Sequence, residues 1–315
     1  MMEIFHLHYP EQMTVPSLKT YSLALGFFDG VHHGHERVIE EALRVAKERN
    51  LTPAVMTFTP HPKRLFQKDC PERLYLTTKK EKERYLKKMG VEALFYVEFD
   101  WNLASLQPDQ FIQSFIENLN VKHVVAGFDF TFGVKGSGTM TTMEQLSAGR
   151  YTTTTVEEVA IDGETVSSTY IRHALQSGEI VQANRFLGRY YETDGIVVDG
   201  EKRGRQLGFP TANIEVHPEL MLPLKGVYAV YFTVRGKRYK GVCNVGTVPT
   251  FNDGNTYTVE VHVLNFDQMI YGEEVTVEWV ARIRDEQKFD GIDALIAQIQ
   301  ADKESADEIL DEVLA

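Results

Sequence analysis

The rhythm of apolar residues changes part-way along this chain, and that change limits the fold more than any single residue does. In the first half, apolar runs of strand length alternate with amphipathic runs of helix length. "YSLALGFF" reads as a buried strand and "HERVIEEALRVAKERN" as a helix, with Val38, Ile39, Ala42, Leu43 and Ala46 at helical spacing. "LTPAVMTFTP" and "EALFYVEFD" are further strands, separated by the charged helix "KKEKERYLKKMG" that Gly90 closes. "PDQFIQSFIENLN" then reads as a helix and "VKHVVAGFDF" as a fourth strand. This β-α-β-α-β-α-β order predicts a Rossmann-like α/β unit, a parallel sheet with helices on its faces. From about Tyr190 the chain breaks into short strands split by Gly, Pro and Asn: "YETDGIVVDG", "GVYAVYFTVRGKRYKGVCNVG", "YTVEVHVLNF" and "EVTVEWVARI". That pattern predicts an all-β unit, an antiparallel barrel or sandwich. The tail from Gly291 to Leu314, with Ile292, Leu295, Ile296, Ile299, Ile309 and Leu310, predicts one or two packing helices. The boundary is expected near "NRFLGRYYETDG", giving domains 1–186 and 187–315.

Composition narrows the class of partner. A chain of 315 residues can bury two cores. Its formal charge of −12 argues against nucleic acid and anionic membranes, which are read by clustered Lys and Arg. Small anionic substrates stay open to it where local groups hold them. Cys70 and Cys243 lie far apart without metal-ligand spacing, which fits a reducing compartment and two buried apolar side chains. The start "MMEIFHLHYPEQ" lacks a secretory pattern, and no run approaches the ~18 apolar residues of a membrane span. A soluble, cytoplasmic protein, monomeric or weakly self-associating, is expected.

One stretch carries chemistry on its face: "GFFDGVHHGHERVI", Gly26 to Ile39. In an open parallel sheet ligands bind beyond the carboxyl ends of the strands, and these histidines follow the first predicted strand directly. The next helix is expected to start near His35, so its free N–H groups and dipole would favour a phosphate there. Gly26, Gly30 and Gly34 let the backbone bend and approach a ligand. His32 and His35, three apart, can converge on one anion, while His33 should point elsewhere. A histidine-rich surface turn or a chance metal site is the bland alternative.

"GFFDGVHHGHE" resembles the H-x-G-H signature of nucleotidyltransferases, in the form found in bacterial bifunctional riboflavin kinase/FMN adenylyltransferases, also called FAD synthetases. "TFTPHP" (57–62), "GFDFTFG" (127–133) with "GSG" (136–138), and "VSSTYIRHAL" (166–175) extend the resemblance through the first half. "GRQLGFPTANI" (204–214), "KGVYAV" (225–230), "NVGTVPTF" (244–251) and "YTVEVHVLNF" (257–266) are similar to the riboflavin kinase module. The resemblance implies an N-terminal nucleotidyltransferase domain and a C-terminal kinase barrel with a terminal helix. It implies the substrates riboflavin, FMN and ATP, with FMN and FAD as substrate and product rather than fixed groups, and Mg²⁺ accompanying ATP.

The same resemblance distributes roles. His32 and His35 would donate hydrogen bonds to phosphate oxygens during adenylyl transfer, a reaction that needs positioning and charge neutralisation rather than a protein nucleophile. Gly26, Phe28, Asp29 and Gly34 would shape the nucleotide loop. Ser167, Ser168 and Thr169, otherwise an ordinary helix cap, would surround the β- and γ-phosphates, and Arg172 would balance the leaving pyrophosphate. His61, Asp129, Phe130 and Gly133 would belong to the flavin and nucleotide loop, with Phe128, Phe130 and Phe132 expected mainly to pack. In the second half Gly204, Gly208 and Pro210 would form a phosphate flap that is not a Walker A loop. Thr211 and Asn213, two apart in extended backbone, would offer hard oxygens to Mg²⁺. Glu260 alternates with Val259 and Val261, so it faces away from the core; the resemblance makes it the base for the riboflavin 5′-hydroxyl. Phe27, Tyr170 and Val248 depart from residues frequent in the family, Tyr170 replacing a frequent Arg and lowering the positive charge near the pyrophosphate.

Overall fold

The first-half strands carry apolar side chains on both sides, and each side is covered. β2 (Tyr21–Leu25) turns Tyr21, Leu23 and Leu25 into one core and Ala24 into another, and all four are buried. Ser22 lies buried too, its hydroxyl donating to the Ala42 carbonyl at 2.8 Å. The computed structural model describes residues 2–16, 18–200, 204, 207–249 and 255–312. Two units emerge, Met1–Pro71 with Lys79–Val166, and Glu72–Thr78 with Ser167–Ala315.

In the first unit the order is β1 (Glu3–Leu7), β2, α1 (His33–Arg49), β3 (Thr52–Thr59), α2 (Pro62–Phe66), α3 (Lys79–Met89), β4 (Ala93–Glu98), α4 (Trp101–Ala104) and α5 (Pro108–Ile112). A π-helical turn, Gln113–Glu117, leads on to β5 (Val121–Gly127), α6 (Met140–Ser147), β6 (Thr152–Val156) and the small hairpin of β7 (Ala160–Ile161) and β8 (Glu164–Thr165). The sheet runs β1-β4-β3-β2-β5-β6, every neighbouring pair parallel. The chain leaves β2 for β3 and β4 on one side, then returns to β5 on the other. Strand order therefore reverses beside β2, and the crevice past its carboxyl end is where such sheets hold ligands. Six strands stand where the sequence pattern predicts four. The additional pair, β1 and β6, are edges whose exposed or Thr-rich residues ("EIFHL", "TTTTV") show no buried-strand signature.

β5 also buries an imidazole that the site does not use. His123 Nδ1 and Nε2 lie 2.7 and 3.1 Å from the hydroxyls of Thr152 and Thr154. Burial, aided by the charge of Arg49, pushes its pKa down to about 4. The unfolded chain takes up this proton near pH 6.5 and the folded one only near 4, so the contribution is complete above 6.5 and is lost as pH falls between those values. Replacing His123 by Asn should remove up to about 1.4 kcal/mol per pH unit from the acid slope of unfolding free energy in that window. Denaturant midpoints of both proteins at pH 7 and pH 5 check this; parallel slopes would refute it.

In the second unit α7 (Ser168–Ser177) and α8 (Ile180–Leu187) precede a closed antiparallel barrel ordered β10-β13-β12-β11-β14-β9. Its strands are β9 (Tyr191–Val198), β10 (Ala212–Val216), β11 (Gly226–Val234), β12 (Lys237–Pro249), β13 (Asn255–Val263) and β14 (Glu274–Arg284). Trp279, fully buried, donates its indole N–H to Thr193 at 2.8 Å and meets Tyr228 edge-on. The tail is one helix, α9 (Ile292–Glu312), that lays Ala306 and Leu310 on Ala229, Tyr231 and Val280. Asp302 on α9 takes both prongs of the Arg284 guanidinium, at 2.8 and 2.7 Å. Ile292, read from sequence as a packing residue, is exposed. Cys243 is buried as expected, but Cys70 is only half-buried, in the irregular segment after α2.

Candidate active sites

The loop after β2 is tightly wound. Phe28 and Val31 sit at φ +51° and +41°, values L-residues seldom adopt, and both side chains are buried beneath the turn. Gly26 and Asp29 belong to the same turn, with Asp29 wholly buried. The helix starts two residues earlier than the sequence predicts: His32 is the N-cap of α1, its Nδ1 accepting the His35 N–H at 3.2 Å. The two rings stack with centroids 3.6 Å apart. Gly34 leaves room for this stack, since a Cβ there would press on the His32 ring from 3.2 Å. His33 turns away and pairs with Glu36 at 3.0 Å. Two imidazoles thus sit together on a helix N-terminus, an arrangement suited to an anion.

The neighbouring strand ends frame this loop. His61 caps α2, and its ring meets Phe27 edge-on at 4.4 Å. After β5, Asp129 is exposed while Phe130 packs against the core behind the sheet. Gly133 takes φ +72°, and Phe132 and Gly138 exchange backbone hydrogen bonds at 3.0 and 2.8 Å, closing the loop on itself. Phe132 is buried, but Phe128 is half exposed, which corrects the expectation that all three aromatics pack.

The "SSTYIR" run lies in the second unit. Ser167 caps α7, accepting the Tyr170 N–H at 3.2 Å, and Ser168 and Thr169 form the first turn. Arg172 is largely buried and donates from Nε to the Leu74 carbonyl at 2.8 Å, so part of its guanidinium fixes the 72–78 segment. Tyr170 stacks on Phe186 at 4.4 Å, so its ring serves as a packing contact.

On the barrel, register does what spacing alone does not. Asn213 on β10 and Asn244 on β12 are both paired with Glu260 on β13, so the three side chains form one row on the face opposite the buried Val259, Val261 and Cys243. Burial and the Glu260 charge hold the Cys243 thiol well above its usual pKa, leaving it inert. Thr211 directly precedes β10. Gly204 accepts the Phe209 N–H at 2.8 Å, and a Cβ at Gly204 would lie 2.4 Å from the Phe209 oxygen, so the flap closes only with glycine there. Gly208 has φ +88°, and the Pro210 carbonyl is 2.9 Å from His262 Nδ1. Residues 201–203, 205–206 and 250–254 of the flap and the "NVGTVPTF" motif lie outside the described residues. Thr211 and Asn213 border a cavity of about 280 Å³, whose far side is lined by Phe266, Met269, Ile270 and Tyr271.

Among the described residues no group of three or more His, Cys, Asp or Glu could hold a metal, and no helix is long and apolar enough to cross a membrane. The FAD synthetase family model matches residues 15–170 and the riboflavin kinase model residues 187–310. A bifunctional riboflavin kinase/FMN adenylyltransferase of Bacillus subtilis is 43% identical over 307 residues, covering 97% of each chain. This chain belongs to the bifunctional riboflavin kinase/FMN adenylyltransferase family. The Escherichia coli K12 member is 37% identical over 290 residues and 91% of each chain. A crystal structure of a Streptococcus pneumoniae protein described as a macrolide-efflux protein superposes with a TM-score of 0.89 at 35% identity, covering 96% of this chain and 98% of that one.

Within the family framework, three features escape sequence reading. Asn244 opens the quoted "NVGTVPTF" motif, yet only pairing places it beside Glu260. His262 on β13 places its Nδ1 2.9 Å from the Pro210 carbonyl and so fastens the end of the flap. Lys82, one of five lysines in "KKEKERYLKK", is buried beneath the histidine loop.

Proposed function

We propose that this enzyme phosphorylates riboflavin with ATP to give FMN and then adenylylates FMN with a second ATP to give FAD and pyrophosphate, the first step in module 187–315 and the second in module 1–186. The observation that carries the kinase reading is the pairing of Glu260 with Asn213, which together with Thr211 borders the cavity. Glu260 takes the proton of the riboflavin 5′-hydroxyl as its oxygen attacks the γ-phosphorus of ATP, and ADP leaves. The cavity takes the nucleotide, with Phe266 and Tyr271 offering aromatic surface, and Gly204, Gly208 and Pro210 are assigned to its phosphates on the strength of their motif. The donor set fits Mg²⁺: two neutral side-chain oxygens from Thr211 and Asn213, to be completed by phosphates, rather than an all-protein carboxylate cage. Bound there, the ion would neutralise phosphate charge.

For adenylyl transfer the FMN phosphate is already ionised and attacks the α-phosphorus directly. His32 and His35 hold the phosphate oxygens as charge moves onto them. The turn of Gly26, Phe28 and Asp29 fixes that pair, and Gly34 lets it stack. His61, Asp129, Phe130 and Gly133 are assigned to flavin and nucleotide contact. Ser167, Ser168, Thr169 and Arg172 are assigned to the pyrophosphate on the strength of their motif.

Incubation with riboflavin, ATP and Mg²⁺, with FMN and FAD separated over time, tests the whole: FMN should rise first and FAD follow. A protein that binds flavin but makes neither would be a carrier, and the proposal would be wrong. Thr211→Ala and Asn213→Ala should each raise the Mg²⁺ concentration for half-maximal FMN formation roughly tenfold, about 1.4 kcal/mol of lost ligation. An unchanged Mg²⁺ titration would remove them from the metal site.

A further inference from the structure

A lysine belongs on the surface unless something buried needs its charge. Lys82 on α3 is 5% exposed, and its Nζ donates to the Phe27 carbonyl at 2.9 Å and to the Thr57 hydroxyl at 3.3 Å. Thr57 in turn donates to the same Phe27 carbonyl at 2.7 Å. The ammonium also lies 4.9 Å over the Phe27 ring, which meets the His61 ring at 4.4 Å. The carboxyl ends of β2 and β3 are thereby joined through one backbone carbonyl, the one that opens the Phe27–Val31 turn leading into His32. That turn holds Phe28 and Val31 in the left-handed region, a geometry that persists only where its surroundings dictate it.

We propose that Lys82 is a positioning residue for adenylyl transfer: by holding the Phe27 carbonyl and ring it sets the turn that presents His32 and His35 to the phosphates. The inference rests on the function proposed for the first module. Burial pushes the Lys82 ammonium down to about 8 against the opposing pull of the Asp29 charge, so its placement carries a desolvation cost that a purely structural side chain would not incur. An apolar residue of the same length would fill the space more cheaply.

The test compares Lys82→Met and Lys82→Arg with wild type in three measurements: FMN to FAD turnover, riboflavin phosphorylation and thermal midpoint. Lys82→Met should lower kcat for FAD formation about 10–100-fold, the scale of a misplaced catalytic group, with KM for ATP and FMN changed less than about threefold because Lys82 touches neither. Its thermal midpoint should hold or rise as a buried charge is removed, and FMN formation should be unchanged. Lys82→Arg, which keeps the donors, should recover part of kcat. Wild-type turnover in Lys82→Met, or a loss that only follows a lowered midpoint, overturns the proposal. Should Lys82→Met fail to fold, Thr57→Val removes the shared hydroxyl, and unchanged kcat there overturns it equally. A wild-type protein that forms FMN but no FAD overturns the adenylyl-transfer reading itself, an outcome distinct from equal turnover of wild type and variant.

Discussion

Glu260→Gln should reduce the rate of FMN formation on the order of 10²–10⁴-fold, the usual worth of a general base. The substitution keeps the size of the side chain and its place in the row with Asn213 and Asn244, but it removes the group that accepts the proton. The fall should therefore appear in kcat, with KM for riboflavin little changed. Conversion of supplied FMN to FAD should continue at the wild-type rate, because that step uses an ionised phosphate and the histidine pair of the other module. Stopped assays with each flavin separate the two steps. Near wild-type phosphorylation by Glu260→Gln would leave it a polar strand residue and send the search for a base elsewhere. Asn244→Ala offers a graded companion: a smaller loss in kcat is expected if the amide helps hold the Glu260 carboxylate.

His32→Ala should have the opposite signature, with FAD formation down on the order of 10²–10³-fold, as when one preorganised donor to a developing charge is lost, while FMN accumulates. The effect on the fold should be modest, because His32 loses one capping bond to the His35 N–H, commonly worth about 1 kcal/mol. Circular dichroism and thermal melting of the variant separate that small loss from the large catalytic one. Equal loss of both activities in a folded His32→Ala protein would refute the division of labour between modules. Arg172→Ala reads less cleanly, since its Nε also holds the Leu74 carbonyl; its melting midpoint should fall along with FAD formation.

Much of this protein is written locally. Apolar runs of strand length separated by amphipathic helices require a parallel sheet covered on both faces, and "YSLALGFF" followed by "HGHE" requires histidines at a strand's carboxyl end. The short Gly- and Pro-punctuated strands after Tyr190 require an antiparallel unit, and the Val-Glu-Val-His alternation puts Glu260 outside its core. Periodicity reports burial, so it misses whatever is only half buried. Edge strands β1 and β6 went unread because their outer faces are polar, and the choice between sandwich and barrel waited on the pairing of β9 with β10. Long-range neighbours are the other class that no local pattern specifies. Asn244 reaches Glu260 through the ladder between β12 and β13, and Lys82 reaches Phe27 and Thr57 across α3, β2 and β3, because chain folding brings together residues that are far apart in sequence. The sequence by itself thus determined the two architectures and the reactive residue types. Only the tertiary structure decided which side chains share a face and which buried charge stands beneath the histidine loop, since both depend on strand register and helix docking rather than on spacing along the chain.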